Sequence, residues 1–155
     1  MRTPRRNLML VASLLAASVQ AADLPAAANL RSEAAAAARH GQPLVILYSR
    51  SDCRYCDSVR QDYLQPLQES AAHRGIVIRQ INQDSARPLR DFRGQAATHA
   101  GIAGGAKIKL VPVVAFYGPD GEQLAPPIVG ARLADFYQSY LDAALAQSAQ
   151  ALRRR

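Results

Sequence analysis

Directly after Pro43, the chain runs Leu44-Val45-Ile46-Leu47-Tyr48, a continuous apolar stretch of strand length. A half-solvated strand alternates apolar with polar residues. An unbroken run therefore reads as a strand buried on both faces, as in the centre of an α/β sheet. Ile76 to Ile81 and Leu110 to Tyr117 are the next two strands. Gly118-Pro119-Asp120-Gly121 has the composition of a hairpin turn, and residues 127–130 form the returning strand. Asn29 is a candidate N-cap for a helix through Arg39, closed by Gly41. Cys53 to His73 is helical in pattern, with Val59, Tyr63, Leu67 and Ala71 on one face and Pro66 kinking or splitting it. Leu133, Phe136, Tyr137, Tyr140, Leu141, Ala144 and Leu145 give a C-terminal amphipathic helix. Residues 84–109 read as a mostly surface connection with one short helix near Ala96 to Ile102, and the row Arg87, Arg90, Arg93 reads as a solvated face. The order predicts an α/β fold: one domain over 29–148 with a mixed central sheet and helices on both faces. Residues 22–28 are expected to be a flexible leader and 149–155 a basic tail.

The length of 155 residues suits one core, and the 49% hydrophobic content excludes low-complexity disorder. The formal charge of +7 is misleading as a guide to partners. Six of the 19 basic residues are Arg2, Arg5, Arg6, Arg153, Arg154 and Arg155, leaving 13 basic against 12 acidic side chains between them. A nucleic-acid binder carries its charge on the folded body, so no nucleic-acid partner is expected. Arg2, Arg5 and Arg6 followed by the apolar run Leu8 to Val19 and Val19-Gln20-Ala21 read as a signal peptide over 1–21, cleaved after Ala21. That run is too short to span a bilayer. The mature protein is expected to be exported, without stable membrane insertion, to a compartment outside the cytosol where disulfides persist.

Cys53-Arg54-Tyr55-Cys56 follows the first buried strand and opens a helix. This spacing puts both sulfurs on the first turn. The helix N-terminus turns unpaired N–H groups toward the first sulfur and favours its thiolate. Cys53 is then the exposed nucleophile, and Cys56, one turn deeper, resolves the mixed disulfide. Arg54 also favours the thiolate, whereas Asp52 and Asp57 oppose it, so the side-chain charges nearly cancel. Three other readings of the pair remain open at this point. They are a zinc site completed by His40, His73, His99 or scattered carboxylates, a structural disulfide closing a very small loop, and an inert pair. CxxC after a strand is a redox pattern, and no metal or organic cofactor is expected. A metal-binding or metallochaperone module using the cysteines as soft ligands is the rival class.

From Asn29 to Ser148 the chain resembles the thioredoxin superfamily, through LVILYS, the CRYC helix, Val111-Pro112, VVAFYGPDG and PPIVG. The resemblance implies a cis bond at Pro112 and docking of the substrate chain on the backbone of Val111. A proline at a strand start also forfeits no ladder bond that the sheet needs. Cytoplasmic thioredoxins carry tryptophan before the first cysteine and Gly-Pro between the pair, whereas here Asp52 precedes and Arg54-Tyr55 intervene. Leu47 stands where that group has a buried aspartate. Tyr55 and the export signal look more like periplasmic thiol–disulfide interchange proteins. Such a protein would exchange disulfides with exported thiol-containing proteins and be reset by a redox partner. Exported isomerases add an N-terminal dimerisation domain, for which the space before the first strand is too short, so a monomer is expected.

Overall fold

The computed structural model describes residues 23–131 and 134–155; the expected signal peptide over 1–21 lies outside them. Strand β1 (Leu44–Ser49) is buried along its whole length. It runs parallel to β2 (Val77–Asn82) and antiparallel to β5 (Val113–Tyr117), which pairs with the edge strand β6 (Gln123–Val129). The mixed sheet thus has the order β2-β1-β5-β6. The pleat of β1 explains its unbroken apolar sequence. Val45 and Leu47 enter one core with Val59, Leu64, Phe116, Tyr137 and Leu141. Leu44, Ile46 and Tyr48 enter the other, with Leu30, Ala34, Ile81 and Ala115. Each fully buried aliphatic side chain contributes about 1.5–3 kcal/mol, so the strand anchors both layers.

Helix α1 (Leu30–Ala38) starts as expected, with the Asn29 side chain accepting from the Ser32 N–H at 3.1 Å. Gly41 follows it at φ +66°, a conformation that glycine adopts freely. The stretch before α1 differs from expectation. Residues 23–28 are no flexible leader: Leu24 and Ala27 are buried. Ala27 N–H donates to the Gln80 carbonyl at 2.9 Å, and Gln80 N–H donates to that of Pro25 at 2.9 Å. The segment lies along β2, whose outer backbone groups would otherwise lack partners.

The CxxC helix is α2 (Arg54–Val59), a π-turn over Arg60–Leu64 and α3 (Gln65–Glu69), followed by a short 3-10 turn at Ala71–His73. Pro66 has no N–H, and the wider turn absorbs that loss: Gln65 N–H reaches back to the Arg60 carbonyl. The extra residue shifts the buried face, which becomes Val59, Leu64 and Leu67, while Ala71 is exposed.

Residues 84–109 also depart from the reading. They form a hairpin, β3 (Pro88–Arg90) and β4 (Ala96–Thr98), followed by α4 (His99–Gly105). Ala96 to Thr98 are strand rather than helix because Thr98 caps α4, its hydroxyl accepting from Gly101 N–H at 3.1 Å. The hairpin turn uses Gly94 at φ +81°, with Asp91 accepting from the N–H groups of Arg93 and Gln95.

Strand β5 begins at Val113, not Leu110, and β6 runs from Gln123 through Pro126 and Pro127, which an edge strand tolerates. Helix α5 (Ala134–Arg153) extends through most of the expected basic tail. Beyond it Arg155 pairs with Asp120 at 3.0 Å and Glu122 at 2.7 Å. The buried face of α5 is Tyr137, Leu141, Ala144, Leu145 and Ser148, whereas Phe136 and Tyr140 of the expected face are exposed and Leu133 lies outside the described residues. Among the described residues, no helix is long and apolar enough to cross a membrane.

Candidate functional site at the end of the central strand

Strand β1 delivers Arg50, Ser51 and Asp52 to the sheet's edge, where Cys53 caps α2. Cys53 and Cys56 form a disulfide, with Cα atoms 5.2 Å apart. The Cys53 sulfur accepts from the Cys56 N–H at 3.2 Å, and its carbonyl accepts from the N–H groups of Cys56 and Asp57. Cys53 is partly exposed and Cys56 fully buried, the asymmetry expected of attacking and resolving thiols. Helix α2 has six residues, and its Cys56 and Asp57 N–H groups already have partners in Cys53.

The charges around the pair differ from a simple cancellation. Asp52 is ion-paired with the Arg50 Nε at 2.7 Å. Asp57 pairs with Arg60 at 2.9 Å, and Arg60 also meets Asp23 at 3.5 Å. Each carboxylate that opposes the thiolate is therefore offset by an arginine. Arg54 lies over the Tyr55 ring at 5.2 Å and has no carboxylate partner among the described residues. Tyr55 is 59% exposed and forms an apolar rim beside the sulfurs.

The loop before Cys53 is held from a distance. The Asp84 carboxylate, just beyond β2, accepts from the Ser51 hydroxyl at 2.5 Å and the Ser51 N–H at 3.0 Å. These bonds, the hydroxyl's first, hold the Asp84 carboxyl below its ordinary range, with a smaller contribution from Arg50. On the other flank the Val111–Pro112 bond is cis, as the resemblance implied. Tyr48 faces Val113, so Pro112 lies level with Ser49 at the end of the sheet that carries the cysteines. Pro112 is buried and its carbonyl accepts from Gly130 N–H at 2.8 Å, whereas Val111 is partly exposed.

Two family departures are visible in the packing. Leu47 is fully buried in the apolar core, which leaves no carboxylate beneath the disulfide. His99, one candidate for a zinc site, uses both ring nitrogens: Nδ1 accepts from Asn82 N–H at 3.1 Å and Nε2–H donates to the Ala27 carbonyl at 3.0 Å. No group of three or more His, Cys, Asp or Glu among the described residues could hold a metal ion. Sequence reasoning missed Arg50, Ser51, Arg60 and Asp84. Arg50 and Arg60 stand two and three residues from the aspartates they meet, a spacing that could have signalled them; nothing local signals Asp84.

With this geometry in view, a family model described as a thioredoxin-like domain matches residues 30–145. The chain belongs to the thioredoxin-like domain family. A thioredoxin-fold protein from Helicobacter pylori is similar in structure, with 12% identity, a TM-score of 0.55, and 72% of this chain and 73% of that chain covered. Mitochondrial thioredoxin 3 from Saccharomyces cerevisiae, in its oxidised form, shows 18% identity and a TM-score of 0.51 over 77% of this chain and 94% of that one. At these identities the likeness is one of fold. No curated protein matches the sequence. A thioredoxin-like domain with its CxxC couple at the helix start is a thiol–disulfide oxidoreductase, acting on thiol-containing substrates with a redox partner.

Proposed function

We propose that this chain is an exported thiol–disulfide oxidoreductase that exchanges disulfides with periplasmic proteins as a monomer. The observation that carries the exchange chemistry is the unequal burial of two bonded cysteines at a helix start. In the reducing direction, the Cys53 thiolate attacks one sulfur of a substrate disulfide. A new S–S bond forms as the old one breaks, and the departing thiolate takes a proton from water. Cys56 then loses its proton and displaces the second substrate thiolate, leaving Cys53–Cys56 oxidised and the substrate reduced by two electrons. The oxidising direction is the reverse. The backbone of Val111, partly exposed at the same end of the sheet as the cysteines, would offer hydrogen bonds to the substrate strand. Export is supported by the basic, apolar and small-residue segments of residues 1–21.

The test is a Cys56→Ser variant expressed with its own N-terminus. It should accumulate mixed disulfides through Cys53 with periplasmic proteins, and the exported chain should begin at Ala22. Mixed disulfides that accumulate through Cys56 in Cys53→Ser rather than through Cys53 in Cys56→Ser, or an N-terminus still at Met1 on cytoplasmic protein, would reject the respective part.

A further inference from the structure

A polar cleft of about 420 Å³ opens on the β2 side of the disulfide, opposite the flank that carries Val111 and Pro112. Its walls come from beyond the carboxyl ends of two neighbouring parallel strands: Arg50 and Ser51 after β1, and Asn82, Ser85 and Arg87 from β2 onward. Asp57, one residue past Cys56, also lines it, so an occupant would lie against the CxxC turn.

The hydrogen bonds in the cleft run in one direction. Arg60, whose side chain is only 11% exposed, is held by Asp57 and Asp23 and donates its Nε–H to Gln80 Oε1 at 2.9 Å. Gln80 in turn donates to Asn82 Oδ1 at 2.7 Å. The chain ends on the Asn82 amide NH₂, which has no acceptor among the described residues. Ser85 Oγ accepts from Arg87 N–H at 3.1 Å, which leaves its hydroxyl proton to donate. Arg87 is exposed and has no carboxylate partner among the described residues, whereas Arg50 is paired with Asp52 and Arg60 with both Asp57 and Asp23. Both cleft carboxylates, Asp23 and Asp57, are taken by Arg60. What remains free is a set of donors around one uncommitted cation, which suits an acceptor-rich anion.

We propose that this cleft receives a carboxylate of the disulfide substrate, borne close to the reacting sulfur, with Arg87 as its principal partner and Asn82 and Ser85 as neutral donors. The proposal rests on the thiol-exchange reading and adds a substrate preference to it. The carboxylate could be carried by a small anionic disulfide or by an acidic residue beside a protein cysteine, and the chemistry of recognition is the same.

The test measures the full reduced chain, regenerated by dithiothreitol, against two matched substrate pairs. One pair is glutathione disulfide and its esterified form; the other is a peptide disulfide with Glu or Gln beside the half-cystine. The carboxylate member should react about fivefold faster, as one partly exposed guanidinium–carboxylate contact allows. A preference within the first pair alone identifies small disulfides, and within the second alone, protein substrates. The preference should shrink with added salt, fall toward unity in Arg87→Ala and invert in Arg87→Glu. Arg93→Ala, at the hairpin tip away from the cleft, should keep it. Equal rates within both pairs, or an unchanged preference in Arg87→Glu, would overturn the cleft assignment alone. Exchange with none of the four disulfides would overturn the thiol-exchange reading, and this proposal with it.

Discussion

The turn that carries the disulfide and the loop that precedes it are held in opposite ways. Every backbone contact of Cys53 into its helix is closed within four residues, to Cys56 and Asp57. The loop Arg50 to Asp52 instead depends on Asp84, 33 residues away. A short-range constellation survives as a pattern in the chain, and a long-range one does not. The reactive turn is thus a local device, and the surroundings that aim and tune it are assembled by the fold.

The largest test of this contrast lies beneath the loop. His99 joins Asn82 on β2 to Ala27 on the N-terminal segment from the interior. His99→Ala would orphan the partly buried Asn82 N–H and the buried Ala27 carbonyl, each costing up to about 1–3 kcal/mol. The variant should lose about 2–5 kcal/mol of unfolding free energy in urea, with its CxxC turn still able to form a disulfide. A midpoint equal to wild type would show that the long-range pins do not hold this side of the fold.

Legibility in the sequence follows the same division. β1, the α1 cap at Asn29, the CxxC turn and the α5 pattern were readable because each is written in neighbouring residues. The buried faces were readable less well, because one π-turn residue between Val59 and Leu64 rotates everything after it. The β3–β4 hairpin was invisible: three-residue strands carry almost no periodicity, and Leu89 is buried in a core it shares with Leu30 and Ala34 of α1, far away in the chain. Residues 23–28 looked loose for a related reason. Their partners are the backbone groups of Gln80 and Arg90, and backbone groups leave no trace in a side-chain pattern.

A smaller effect should appear at Asp84. Its carboxyl is held below the ordinary range by Ser51, so the folded state favours the charged form. That contribution is complete above the unfolded value of about 3.9 and is lost as pH falls through the lower folded value. Asp84→Asn should therefore melt below wild type at pH 6, with the gap closing as the pH is lowered below about 4. Thermal melts across that range check the sign. A gap that widens toward acid would mean that Asp84 does not hold the loop through its charge.

The smallest effect concerns the redox potential, where the local and assembled parts meet. Whatever favours the Cys53 thiolate stabilises the reduced form and raises the potential. Sequence charges alone suggested near cancellation, with Arg54 set against Asp52 and Asp57. The structure pairs both aspartates with arginines and leaves Arg54 without one. The balance therefore tilts toward the thiolate. A potential between the thioredoxin value of about −270 mV and the strongly oxidising value of about −120 mV is expected, nearer the upper limit than cancellation would give. Arg54 is exposed, so its interaction with the thiolate is about 0.3–1 kcal/mol. With 30 mV equal to about 1.4 kcal/mol for two electrons, Arg54→Ala should lower the potential by ~6–20 mV and Arg54→Glu by roughly twice that. Arg50→Ala should lower it too, because it frees the Asp52 charge, and Asp52→Asn should raise it by a similar amount, because it frees the Arg50 charge. Equilibration of the wild type and the four variants with glutathione buffers measures all of these shifts. An Arg54→Glu variant with a higher potential would overturn the Arg54 contribution, and shifts of the same sign in Arg50→Ala and Asp52→Asn would show that the ion pair does not offset the aspartate.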